Sequence, residues 1–171
     1  MKTVLSIHLG PVQDFILSAR RCQDLWFGSW LLSELSKATA NGIASAGGAS
    51  VIFPGAETQE LSPGGRRNVA NKILARVDGD LARAAEVAEA GRAAMQMRLH
   101  VMGTATFDAI GQRSSRVAGV FKREVAQDQL KELMEYFWAA AMEGEGGYAA
   151  ARHEAERRLA ARKNTQGWGQ P

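Results

Sequence analysis

A single cysteine, Cys22, in a chain of 171 residues leaves no partner for an internal disulfide and no thiol set for a structural zinc site. No run approaches the roughly eighteen apolar residues that a membrane-crossing helix needs. Residues 1–9 hold one lysine and too short an apolar stretch for a secretory signal, so a reducing cytoplasmic setting is expected. Charge of one sign is also scarce: 21 Lys and Arg against 18 Asp and Glu give +3, too little to mark a generally nucleic-acid-coating protein. What remains is a globular composition, 46% apolar and 23% charged, long enough to bury one core without metals or disulfides.

The small excess of positive charge is concentrated. Residues 1–151 contain sixteen basic and sixteen acidic side chains, and "RHEAERRLAARK" at 152–163 adds five basic and two acidic. A helix there either contacts phosphate or is a solvated helix whose cations complement its own C-terminal dipole.

"TVLSIHL" alternates, with Thr3, Leu5, Ile7 and Leu9 on one face and Val4, Ser6 and His8 on the other, which predicts a strand. Gly10-Pro11 ends it. A helical pattern then runs from Asp14 to Ala46, with an interruption expected at Phe27-Gly28-Ser29. "SVIFP" at 50–54 reads as a short buried strand and 57–68 as a loop. "NKILARV" gives a third strand, Ile73, Ala75 and Val77 opposing Lys72, Leu74 and Arg76. Helices are expected from about Leu81 to Leu99 and near Val117 to Met134. "MEYFWAAAM" at 134–142 has the bulk of a strand, with alanines that leave helix open. A basic helix follows Gly144–Gly147, and the final residues have linker composition. The order strand, helix, strand, strand, helix, strand is the split β-α-β plan: an α+β domain with a ferredoxin-like antiparallel sheet, long helices on one face, and the Val4-Ser6-His8 face open.

The opening "IHLGPVQDFILSARRCQDLWFGSWLLSEL" resembles the start of the large, polymerase-like and cyclase-like subunit of type III-B CRISPR effector complexes. "VIFP", "NVANKILA", "EYFWAA" and "RRLAARKNTQGWGQP" follow in the order of the same family. The resemblance implies a palm domain of cyclase-like fold at 1–163 and the start of a linker at 164–171. It also implies a role in antiviral defence: two such palms face each other, hold ATP, and make cyclic oligoadenylate when the complex binds target RNA. This chain looks like the first palm alone.

Metal-assisted nucleotidyl transfer needs carboxylates that hold two Mg²⁺ ions. The Gly-Gly-Asp-Asp hairpin of the family's second palm does not occur, and the first strand ends in Ser6, Ile7 and His8. Asp78-Gly79-Asp80 reads as a turn with Asp80 as a helix cap. None of the three histidines precedes an aspartate, so the family's histidine-aspartate nuclease is not expected, and neither is its zinc module. The expectation is a noncatalytic nucleotide-binding half-site, with Mg²⁺ held mainly by the second palm. Its candidate residues are Gly10, Pro11 and Gln13 at the strand-to-helix turn, Gly28 and Ser29, and Arg20. For Gly10-Pro11 a plain strand break, and for Ser29 a helix cap, stay open beside nucleotide contact. Arg20 and Arg21 lie about 100° apart on a helix, so they do not share one environment. Trp26 and Trp30 share a face, for core packing or a neighbouring subunit rather than base stacking, and Asn71-Lys72 is a strand entrance or a contact for RNA or a partner.

The expected partners are the other subunits of the complex and the second palm domain, with guide and target RNA reached indirectly and no membrane. The first rival is a docking scaffold, in which Trp26, Trp30, Phe137 and Trp138 meet neighbouring subunits without nucleotide. The second is an RNA-binding module that reads bases from the open sheet face.

Overall fold

The computed structural model describes residues 1–55, 61–62, 64–65, 67–113 and 121–166. The elements are β1 (Lys2–Gly10), α1 (Val12–Ser18), α2 (Cys22–Ser45), β2 (Ala49–Phe53), β3 (Lys72–Asp78), α3 (Leu81–Arg113), α4 (Arg123–Glu132), β4 (Glu135–Met142) and α5 (Gly147–Gln166). One four-stranded sheet has the order β2-β3-β1-β4. Every neighbouring pair is antiparallel, with Ile7 of β1 opposite Ile73 of β3 and Trp138 of β4. The α+β class and the predicted succession of strands hold. β4 resolves the ambiguity at 135–142, because its alanines lie between two helical layers where small side chains fit.

The strand alternation decides what each face buries. Leu5, Ile7 and Leu9 join Ile73, Ala75, Val77 and Ala140 against Leu35 and Ile43 of α2 and Val87 and Ala88 of α3. Each fully buried aliphatic side chain of this layer contributes about 1.5–3 kcal/mol relative to exposure. All ten residues from Leu31 to Ala40 are buried, since the sheet, α3 and residues such as Gly64, Gly65 and Val69 surround this part of α2. Gly42 and Gly91 let α2 and α3 approach. A Cβ on Gly42 would lie 2.8 Å from the Ala90 carbonyl oxygen, and one on Gly91 would lie 2.9 Å from the Tyr136 hydroxyl.

Four expectations change. The face of Val4, Ser6 and His8 is not open: α5 lies across it, with Ala151 and Ala155 on Val4, Leu74 and Ala141, and Leu159 beside Phe137 and Ala139. Helices therefore cover both faces. The alanine spacing of 151 and 155 supplied the apolar stripe, but the many charges of that helix masked it. β2 is an edge strand with mostly half-exposed or exposed residues, not a buried one. The first helical pattern breaks at Ala19–Arg21, where Asp24 Oδ2 accepts the N–H groups of Arg20 and Arg21, while α2 passes unbroken through Gly28-Ser29. Lastly, α3 continues to Arg113 and α5 to Gln166. The expected helical start near 117 and the tail at 167–171 lie outside the described residues.

Candidate functional site

The Gly10-Pro11 turn leads from the sheet into α1, a helix of seven residues. Phe15 of α1 rests on Gly28 of α2, where an added Cβ would stand 3.4 Å from Phe15 Cβ. A side chain larger than alanine there would push α1 away. Between α1, α2 and the segment at 69–71 lies a cavity of about 290 Å³, lined by Val12, Phe15, Leu25, Gly28, Ser29 and Asn71 among others. Ser29 is exposed in mid-helix, so it caps no restarted helix. Of the candidate residues, the structure brings Gly28 and Ser29 together on this cavity. Gly10 and Pro11 adjoin it through Val12, Gln13 is exposed on α1, and Arg20 lies exposed beyond the far end of α1.

The wall at 69–71 is fixed by hydrogen bonds that are not legible in the sequence as a site. Asn71 Nδ2 donates to the Leu9 carbonyl at 2.8 Å and lies 3.1 Å from His8 Nε2. Ser33 Oγ accepts the Val69 N–H at 3.0 Å, and Asn41 Nδ2 donates to the Leu61 carbonyl at 2.8 Å. Asn71 is thus a strand-entrance clamp, and Lys72 pairs with Glu156 of α5 at 2.9 Å.

Beneath this wall Glu34, 0% exposed, receives Lys37 Nζ at 2.8 Å, Arg98 Nη2 at 2.7 Å and the Gly64 N–H at 2.8 Å. Lys37, 1% exposed, also donates to the Gly65 carbonyl at 2.7 Å. Burial alone pushes the Glu34 carboxyl up. The hydrogen bonds from Lys37, Arg98 and Gly64 outweigh it and hold the group below its ordinary value. Two charges three apart in the otherwise apolar and small "LLSELSKATA" are the signal that marks this buried pair. Asp80 Oδ1 accepts the Arg83 N–H at 2.9 Å, and Gly79 has φ +146; the Asp78-Gly79-Asp80 turn is a helix cap as expected. Among the described residues no three His, Cys, Asp or Glu side chains form a metal-holding group.

His8 is a polar side chain of the sheet–α5 interface. Lys163 Nζ and Asn71 Nδ2 both lie 3.1 Å from its Nε2. Both are donors, so Nε2 accepts and the neutral ring carries its proton on Nδ1. Burial first, then the charges of Lys163 and Lys72, lower its pKa to about 4.

The outer surface of α1 and α2 is different in kind. Leu17 is 83% exposed and Trp26 77%, and Ile16, Leu25, Phe27 and Trp30 are also exposed. Phe27 and Trp30 rings lie 5.8 Å apart. Core packing is therefore not the role of Trp26 or Trp30. Phe137 is buried under α5 and does not belong to any such surface.

Among the described residues no helix is long and apolar enough to cross a membrane. Comparison with curated proteins finds no match. The family described as CRISPR-associated protein Cmr2, N-terminal, matches residues 4–127, which runs from β1 into α4 and leaves β4 and α5 beyond it. With three of the four strands, the helices between them and most of the chain inside that match, the protein belongs to the CRISPR-associated Cmr2 N-terminal family.

Proposed function

We propose that this domain is a docking module of the CRISPR-associated large subunit, and that the exposed apolar surface of α1 and α2 seats a neighbouring protein surface of the effector complex. The observation that carries this reading is the clustering of Leu17, Trp26, Phe27 and Trp30 on two consecutive elements. Monomeric proteins rarely leave so many large apolar side chains together in water, whereas rings rimmed by polar residues are the usual anchors of interfaces. Replacing Trp26 and Phe27 by Lys removes anchors without touching the core. Co-purification of the variant with the other subunits is expected to fall at least tenfold with an unchanged melting temperature. Undiminished co-purification overturns the reading.

A second reading, nucleotide binding without catalysis, is favoured by the cavity beside Ser29. Its apolar walls, the Ser29 hydroxyl and the close backbone at Gly28 fit a nucleoside. Among the described residues no cationic side chain lines it, so a triphosphate with Mg²⁺ has to be held by other groups, such as those of a second palm. In the assembled subunit this half-site would serve ATP-dependent oligoadenylate synthesis. Ser29→Ala is then expected to lower synthesis about tenfold or more, as loss of one hydrogen bond to a charged ligand does, with near-normal melting. Normal synthesis in that variant removes Ser29 from the site.

A further inference from the structure

We propose that the outer edge of β4 is a binding site for the phosphodiester backbone of single-stranded nucleic acid, held by Arg92 and Arg162 and continued by Arg158. Arg92 comes from α3 and Arg162 from α5, so helices on opposite faces of the sheet bring their guanidiniums to the same strand edge. Arg92 Cζ lies 5.1 Å from the centre of the Tyr136 ring, and Arg162 Cζ lies 5.3 Å from that of Trp138. Those rings are two residues apart on one strand, about 7 Å. Both arginines line one cavity of about 230 Å³, completed by Tyr136, Phe137, Trp138 and Thr165. Among the described residues no carboxylate lines it.

Neither guanidinium is used up. Arg162 donates one hydrogen bond, from Nη1 to the Trp138 carbonyl at 2.7 Å, which fixes it at the edge of β4 and leaves its other donors free of partners among the described residues. Arg92 Nε is enclosed without a hydrogen bond; Glu89 Oε2, 3.4 Å away, supplies charge without bond geometry. Two cations converging on one cleft repel each other unless an anion sits between them. A guanidinium presents a planar fork of donors that matches phosphate oxygens.

The site extends along a line. Arg162 also borders a second cavity, about 510 Å³, with Arg157, Arg158 and Trp138. Arg158 Nη1 donates to the Ala140 carbonyl at 2.9 Å, one helical turn, about 6 Å, from Arg162. Glu154 pairs with Arg157 and Arg158 and Glu89 stands beside Arg92, which leaves Arg162 as the cation of this row with no carboxylate partner among the described residues. The row is one side chain wide and follows a strand edge, with an aromatic ring shared by both cavities. That shape fits a single strand with repeating phosphates, not a duplex. It is also distinct from base reading on the sheet face, which α5 covers. The basic excess of residues 152–163 thereby acquires a place in the fold.

The site shares no residue with the α1–α2 surface, so it stands or falls separately from the docking reading. The test is fluorescence anisotropy of a labelled oligouridylate of about twenty nucleotides, titrated with the chain between about 50 and 200 mM salt. Binding is expected to weaken linearly on a log–log plot against salt. R92A/R162A is expected to bind at least tenfold more weakly, with the slope smaller by about 1.4, two phosphate contacts at about 0.7 each for a single strand. Circular dichroism melting controls for the loss of the Arg162 bond to β4. If R162A lowers the melting temperature, R92A carries the test alone, with a slope change of about 0.7, because Arg92 makes no hydrogen bond among the described residues. A DNA oligonucleotide of the same length should bind equally, since backbone contacts do not read the 2′-hydroxyl. No binding at the lowest salt, an unchanged slope in R92A, or binding to anionic phospholipid vesicles or ATP with none to oligonucleotide each overturns the proposal.

Discussion

Glu34 shows how much one side chain carries here. Its carboxylate neutralises Lys37, accepts Arg98 and anchors Gly64, so removing its charge leaves a buried ammonium facing an amide. Glu34→Gln is expected to destabilise the domain by about 3 kcal/mol, read by chemical denaturation at neutral pH. The pH dependence follows from the depressed carboxyl. In the unfolded chain the group titrates near its ordinary 4.5 and in the fold below it. The stabilisation is therefore complete above about 4.5 and is lost as pH falls through the lower folded value. The variant should show a flatter stability profile in that acid range; an unchanged profile would show that Glu34 is not the group responsible. His8 adds a separate dependence with its own window, because its folded pKa of about 4 lies below the ordinary 6.5. Its contribution is full above 6.5 and declines toward 4, so the two regions are distinguishable.

The elements were set by different kinds of information. β1 and β3 were legible because Leu5, Ile7 and Leu9, and likewise Ile73, Ala75 and Val77, repeat every second residue. α2 was legible as a helix but not in its start, because Gly28-Ser29 carries a helix-breaking composition that close packing against Phe15 requires instead. The crossing of α2 and α3 rests on Gly42 and Gly91. Gly42→Ala would gain about 1 kcal/mol of helix propensity in isolation. In this crossing the new methyl meets Ala94 Cβ at 2.6 Å and the Ala90 carbonyl at 2.8 Å, and a backbone carbonyl on a packed helix cannot swing aside. A net loss of about 1–3 kcal/mol is expected, measured as a lower thermal midpoint. A raised midpoint would mean that the two helices have room to separate.

At the scale of the molecule, the sheet has a helical layer on each side, and α1 and α2 carry an exposed apolar surface that includes both exposed tryptophans. An isolated chain with Trp26 and Phe27 in water is expected to associate as concentration rises. Sedimentation velocity should show faster species that diminish in the Trp26→Lys, Phe27→Lys variant, and a wild-type monomer across the whole concentration range would place the driving force of docking elsewhere. The basic edge of β4 and this apolar surface are built from different elements. A variant in one should leave the other's partner binding intact.

Taken by itself, the sequence determined the class, the succession of strands, the cap at Asp80 and the family, because these depend on period, turn chemistry and long motifs read along the chain. The candidate site was legible only in part. Gly28 and Ser29 do meet on one cavity, whereas Arg20 stands apart, since direction about a helix and the place of its break follow from what packs against it. The distant partners of Glu34, Gly64 and Arg98, 30 and 64 residues away, had no local signal. Nor had the seat of α5: its arginines look like a solvated face until the fold brings Arg162 to Trp138, beside Arg92 of α3 on Tyr136. Tertiary structure decided those features because burial, and the charge left uncompensated by it, are properties of which surfaces meet.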